Sequence, residues 1–287
     1  MNRISSKRTC LLFSIILIGI PSLSLYAQEV NKAPEVQKFS IGIKLGPSVT
    51  FASYPDRDQR DQFKTQPKFG MGGQVFVNFP LSRTGYTFLS EAGYAIRGRK
   101  FKIKSDGGEF VNNATYQFVE LSMGLRKSFN LKLVENIPSK WFINIGPNIQ
   151  YWVNGKGKLQ NTEYKVVFNQ PPDGDLYTNY INDPNRWFFG IDVGIGADAP
   201  INSKQKVRVE LRTTFGQTYL GKKTATSNLS TIVWQDDLRS NLKTISLTGA
   251  YTLDFDMRNM KMGKSNTTKS VKGNVGKYRA PKKKKRR

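Results

Sequence analysis

From Lys38 to Phe51 apolar and polar residues alternate without a break. Phe39, Ile41, Ile43, Leu45, Pro47, Val49 and Phe51 fall on one side, and Ser40, Gly42, Lys44, Gly46, Ser48 and Thr50 on the other. Period two over this length marks a strand with one apolar and one polar face. Soluble strands average about 5–6 residues, whereas a strand that crosses a bilayer needs about 9–11. The pattern therefore predicts membrane-crossing strands.

It recurs seven more times. Strands are expected at about 67–79, 86–99, 115–129, 141–153, 187–199, 206–219 and 242–256. Phe76 and Leu89 break the alternation, because each places a large apolar residue in the polar row. The stretches between strands alternate in length, long after the odd-numbered strands and short after the even-numbered ones. Eight strands with long loops at one end and short turns at the other is the outer-membrane pattern, with both termini in the periplasm. Aromatics stand near the strand ends, at Phe39, Phe51, Tyr86, Trp141, Tyr151, Trp187, Tyr219 and Phe255, where interfacial girdles are expected. The fold class expected is all-β, an eight-stranded antiparallel transmembrane β-barrel.

The segments outside the alternation divide the chain. Residues 1–27 carry Arg3, Lys7 and Arg8, then an apolar run from about Cys10 to Ile20 and small residues up to Ala27. This reads as a signal peptide. Residues 28–37 read as a short periplasmic linker, 38–256 as the barrel, and 257–287 as a basic disordered tail. The only cysteine, Cys10, lies in the first segment.

Charge changes the picture only at the ends. The formal net charge is +24, but three basic residues belong to 1–27 and thirteen to 257–287, which leaves +8 for residues 28–256. The run Lys282, Lys283, Lys284, Lys285, Arg286, Arg287 would suggest nucleic acid in a cytosolic chain. An exported chain meets none, so the tail is expected to contact anionic outer-membrane lipid or an acidic periplasmic or outer-membrane protein.

A lumen of eight strands is just wide enough for side chains to fill it. Charges there must be paired. The polar rows supply Glu91, Arg97, Glu120, Arg126, Asp192, Asp198, Lys206, Glu210 and Arg212. Arg97 with Glu120 and Glu91 with Arg126 fit one antiparallel register, and Asp192 with Arg212 and Asp198 with Lys206 fit another. A charge network that pins both hairpins is expected.

Enzymatic chemistry finds little support. The chain has no histidine to act as general base. Asp192 and Asp198 are about 20 Å apart along a strand, too far for paired acid–base work. No catalytic, cofactor-binding or metal-binding residues are expected, and no cofactor.

With the strands in place, the chain resembles the PorT-like outer-membrane barrel family of the Bacteroidetes. The likeness is carried by IGIKLGPSVTF (41–51), KFGMGGQVFVNFPLS (68–82), YAIRGRKF (94–101), YQFVELSMGLRKSF (116–129), WFINIGPNIQYWV (141–153) and FFGIDVGIGADAPI (188–201). It implies a non-enzymatic accessory or interaction subunit, of a type IX secretion system or another envelope machine. It offers no catalytic residues. A small ion or solute channel and a lipid-modifying outer-membrane enzyme are the alternative functions.

Overall fold

The computed structural model describes residues 38–256 except 83, 106–107, 135–136, 170–176, 230–231 and 236–237. The expected signal peptide, linker and basic tail lie outside the described residues.

Eight long strands form the ring. They are β1 (Lys38–Ser53), β3 (Lys68–Pro80), β4 (Tyr86–Ser105), β5 (Gly108–Val134), β6 (Ile137–Leu159), β9 (Trp187–Pro200), β10 (Gln205–Tyr219) and β13 (Asn241–Asp256). Each pairs antiparallel with the next, β6 pairs with β9, and β1 pairs with β13 from Lys38↔Asp256 to Ser53↔Asn241. No edge is left open around the ring, which is the condition for strands to cross hydrocarbon.

The rows sort as the alternation predicts. Leu45, Phe69, Val75, Val119, Ile145, Phe189, Val209 and Leu247 stand exposed on the outer surface, Phe69 at 76%. Lys44, Glu91, Glu120, Arg126, Asn148 and Glu210 are buried inside. A soluble monomer rarely exposes an apolar patch larger than a few hundred Å²; an apolar belt around a polar interior is an outer-membrane barrel. Aromatic contacts mark the belt's edges. Phe39 packs on Phe79 at 4.9 Å and on Phe255 at 6.1 Å at the end of the short turns, and Tyr151 on Trp187 at 4.8 Å at the other.

The strands run further than the apolar alternation alone predicts. β4 has 20 residues, β5 27 and β6 23. The connections expected as long loops are largely sheet. β2 (Phe63–Gln66) pairs with β4, β7 (Thr162–Phe168) with β6, β8 (Thr178–Pro184) runs parallel to β7, β11 (Gly221–Leu229) pairs with β8, and β12 (Ile232–Gln235) with β11. The one helix among the described residues, α1 (Arg57–Gln62), has six residues. At the other end, the expected connection 130–140 is also strand, with Phe129 opposite Trp141 and Lys132 opposite Pro138.

The reason is an inversion of polarity at constant parity. Along β4, Tyr94 and Ile96 face out and Arg97 and Arg99 face in. Four residues on, Lys100 and Lys102 face out and Phe101 and Ile103 are buried. The same happens on β5, where Val119 and Leu121 face lipid while Tyr116 and Ala114 are buried further along. The apolar residues therefore change sides where a strand leaves hydrocarbon for water, and the alternation itself never stops. Beyond this line the extensions enclose a core of Tyr116, Phe118, Trp152, Leu159, Tyr164, Phe188 and Leu220, with Leu238 and Leu242. A second cluster joins Tyr54 and Phe63 to Phe101 and Ile103.

The outer rows make a direct prediction. Ile145→Arg, in the middle of the apolar belt of β6, should destabilise the barrel in lipid vesicles by about 2–4 kcal/mol, read from equilibrium urea unfolding. On a water-exposed surface the same change would stay within about 0.5 kcal/mol.

Candidate functional site

The lumen is a column of paired side chains. At the short-turn end, Lys206 Nζ lies 2.5 Å from Asp254 Oδ2, and Ser40 Oγ donates to Asp254 Oδ1 at 2.8 Å. Next, Arg208 donates to both oxygens of Asp198, at 2.6 and 3.2 Å. Its guanidinium also lies over Phe76 at 4.8 Å and Phe142 at 5.0 Å, and Arg126 covers the Phe142 ring at 4.0 Å.

Phe76 and Leu89, the two residues that broke the alternation, are buried here with Ala250. Gly42 and Gly196 make room for the rings: a Cβ at either would collide with Phe76 or Phe142. Two lumen-facing rings and two guanidinium groups thus seal this end with cation–π contacts.

The middle of the column is centred on Arg212 and Glu91. Lys44 Nζ donates to both oxygens of Glu91 at 2.7 Å, and Arg212 donates to the same carboxylate through Nη1, and through Nη2 at 3.0 Å. Arg212 also holds Glu210, with Nη2 at 2.5 Å and Nε at 2.7 Å from Oε1, and Asp192 at 3.3 Å. Asn144 donates to Glu210 at 3.1 Å.

Above lies Asp192, which accepts from Thr214 at 2.7 Å, Ser122 at 3.0 Å and Asn148 at 3.2 Å. Glu120 takes Arg97 at 2.7 Å and Gln74 at 3.0 Å. At the far end Arg99 donates to Tyr116 Oη at 2.8 Å, directly below the aromatic core.

Six carboxylates (Glu91, Glu120, Asp192, Asp198, Glu210, Asp254) are thereby matched by six cations (Lys44, Arg97, Arg126, Lys206, Arg208, Arg212). A buried charge is tolerable only when paired and bonded; Arg126 meets Glu210 at 3.9 Å and the Phe142 ring, and a further buried cation, Arg99, bonds Tyr116. The space left among Lys44, Gln74, Arg97, Glu120, Asp192 and Arg212 is a cavity of about 30 Å³. That is room for about two water molecules. Among the described residues no group of carboxylates is placed to hold a metal ion.

The nine lumen residues singled out from sequence all lie on the inner face, but two expected registers are wrong. β4 and β5 pair with Glu91 opposite Ser122 and Arg97 opposite Tyr116, four residues away from the expected register. Arg97 still reaches Glu120, diagonally, whereas Glu91 turns to Lys44 and Arg212 and Arg126 approaches Glu210 at 3.9 Å.

On β9 and β10 the slip is two residues, with Asp192 opposite Thr214 and Asp198 opposite Arg208. Asp192 keeps Arg212 as a diagonal partner. Asp198 takes Arg208, and Lys206 takes Asp254 across the β10–β13 pair. The expectation placed partners directly opposite on adjacent strands. A long Arg or Lys in a narrow lumen instead reaches along its own strand or across the barrel.

Lys44, Arg208 and Asp254 complete the network without having been singled out, although each stands in a polar row and could have been found there. The tail residues Lys282–Arg287 lie outside the described residues.

A family model described as an outer membrane protein beta-barrel domain matches residues 26–218. Similar solved structures include Neisserial surface protein A, 10% identical at a TM-score of 0.39, over 75% of this chain and 97% of that one. OprG from Pseudomonas aeruginosa is 8% identical at 0.45, over 78% and 99%. Ail from Yersinia pestis is 8% identical at 0.34, over 74% and 97%. No curated protein matches the chain.

The network makes a second prediction. Arg212→Met leaves Glu91, Glu210 and Asp192 short of a cation and should cost about 3–5 kcal/mol in unfolding free energy. Adding Glu91→Gln should recover part of that loss, and a double-mutant cycle would measure the coupling.

Proposed function

The chain belongs to the outer membrane protein beta-barrel domain family, and from that premise we propose that it is a non-enzymatic accessory or interaction subunit, embedded in the outer membrane and working with an envelope machine. The observation that carries the reading is the filled lumen. A column of ion pairs, sealed by Phe76, Phe142 and their guanidinium partners at one end and capped by Trp152 and Tyr116 at the other, encloses a cavity with room for about two waters. A barrel so filled does its work with its surfaces and its ends.

The resemblance to the PorT-like family points to a secretion machine of the type IX kind. The sequence supports a non-enzymatic role, since no histidine is present to serve as general base. The loop-side extension faces out of the cell and both termini face the periplasm, in keeping with long connections outside and short turns inside. The basic segment 257–287, thirteen Lys or Arg without an acid, then serves as an arm for an acidic periplasmic partner.

Two measurements test this. Affinity purification from mild-detergent outer membranes should bring down a stoichiometric partner with the full chain and lose it with a chain ending at Asp256. If both forms come out alone, the docking-arm reading fails. In planar bilayers the full barrel should pass no resolvable single-channel current; regular conductance steps would replace this reading with the channel alternative.

A further inference from the structure

The outer face of the loop-side extension gathers lysines on one flank. Lys100 on β4 and Lys158 on β6 both stand directly opposite Asn113 of β5. Lys68 donates to Asn113 Oδ1 at 2.6 Å, and Lys68 and Lys100 repel one another. Lys156 shares the face of Lys158 and stands directly opposite Lys165 of β7, and Lys102 stands directly opposite Lys64 of β2.

Register fixes Lys64, Lys100, Lys102, Lys156, Lys158 and Lys165 on the surface away from the aromatic core, and Lys68, opposite the buried Thr50 of β1, joins them through its bond to Asn113. Like charges placed directly opposite one another destabilise a sheet, and this flank does it twice. Its acids among the described residues are Glu109, which binds Lys102 at 2.7 Å, and Glu163, opposite Lys158. Nothing in the fold calls for seven lysines here, since the opposite faces of the same strands already bury the core.

Height selects the occupant. On β6 the last apolar outward residue is Val153, and Lys156 follows three residues later. That is about 10 Å along the strand, or about 7 Å in height at a tilt of about 45°. The polar layer on each side of the hydrocarbon is about 5–8 Å deep. The lysines thus stand at the level of lipid phosphates, immediately above the apolar belt and continuous with it.

The geometry points to a docking surface on this flank for the phosphate groups of the phosphorylated glycolipid of the outer leaflet, held by Lys100, Lys156 and Lys158 with Lys68, Lys102 and Lys165 around them. This rests on the reading that the loop side faces out. The charge, the spacing over three adjacent strands and the position beside the belt fit an anchored polyanion that packs its acyl chains on the same strands.

The test uses the purified full chain in detergent, titrated with bis-phosphorylated lipid A, its dephosphorylated form, or phosphatidylglycerol, with binding read by native mass spectrometry. Lipid A should bind in a salt-sensitive manner. The combined variant Lys100→Gln, Lys156→Gln, Lys158→Gln should lose on the order of 100-fold in affinity, about fivefold per lysine. Lys222→Gln with Lys223→Gln, exposed on β11 away from this flank, should bind as the parent does.

Equal binding by the triple variant, equal binding of the dephosphorylated lipid, or equal competition by phosphatidylglycerol would overturn the proposal. Orientation is read separately. Asn161→Cys, at the exposed β6–β7 turn, should react with a membrane-impermeant maleimide on intact cells. A protected cysteine overturns the outward reading, and the assignment to outer-leaflet glycolipid with it. A labelled cysteine with unchanged binding by the triple variant overturns the lipid proposal alone.

Discussion

A peptide group inside hydrocarbon has no water to bond, and each one left unpaired costs several kcal/mol. In this chain that constraint sets everything else. The strands crossing the apolar belt have a hydrogen-bonded neighbour on either side, and the β6–β9 ladder from Lys140↔Asp198 to Tyr151↔Trp187 joins the two arcs of the ring. Once closure at eight strands is required, the interior diameter follows. Once the diameter is set, the inner rows have to fill it with side chains that tolerate one another. The ion pairs are thus a consequence of closure, and so is the way they are built: long cations reaching diagonally and across the barrel, and glycines on facing strands that make space for rings.

The same constraint explains where the strands change character. Within the belt the outer row must be apolar and the inner row may be polar. Beyond it the demand reverses, because water now lies outside and the mouth has to be sealed. The chain meets both demands with uninterrupted sheet. β4 and β5 carry their parity straight through the boundary and exchange the chemistry of the two rows, whereas β6 shifts its parity by one residue at Val153. The β-bulge that sets Gln117 opposite Asn154 and Phe118 opposite Trp152 lies at this boundary, beside Val153. Extra local twist is what a bulge supplies.

Much of this was legible in the sequence. All eight ring strands show as apolar alternation, and the lumen residues show as its polar rows. What escaped did so for physical reasons. Phe101 and Ile103 alternate with Lys100 and Lys102 as regularly as any membrane strand, but with the apolar residues on the inner side. A pattern judged by its apolar row shows only where that row should stop. Phe76 and Leu89 looked like faults in the alternation and are the apolar part of the seal. Registers were the least legible feature, because a guanidinium that spans four residues diagonally, as Arg97 does to reach Glu120, satisfies a charge as well as one directly opposite.

The pairing of β1 with β13 has a consequence for the order of events. Lys38 meets Asp256, so the first and last strands of the ring are neighbours although more than two hundred residues separate them in the chain. All the other ring ladders except β6–β9 join strands that follow one another around short or medium connections and can form as local hairpins. The seam is the ladder of greatest sequence separation, and loop-closure entropy makes such contacts slow to form. Until residues 241–256 have been delivered, β1 and β10 each present a naked edge inside the membrane, which only an assembly factor or another chain could cover. The barrel is therefore committed by the last strand of its ring: its release as a closed molecule is coupled to delivery of residues 241–256, and the open intermediate is the species that needs a chaperone.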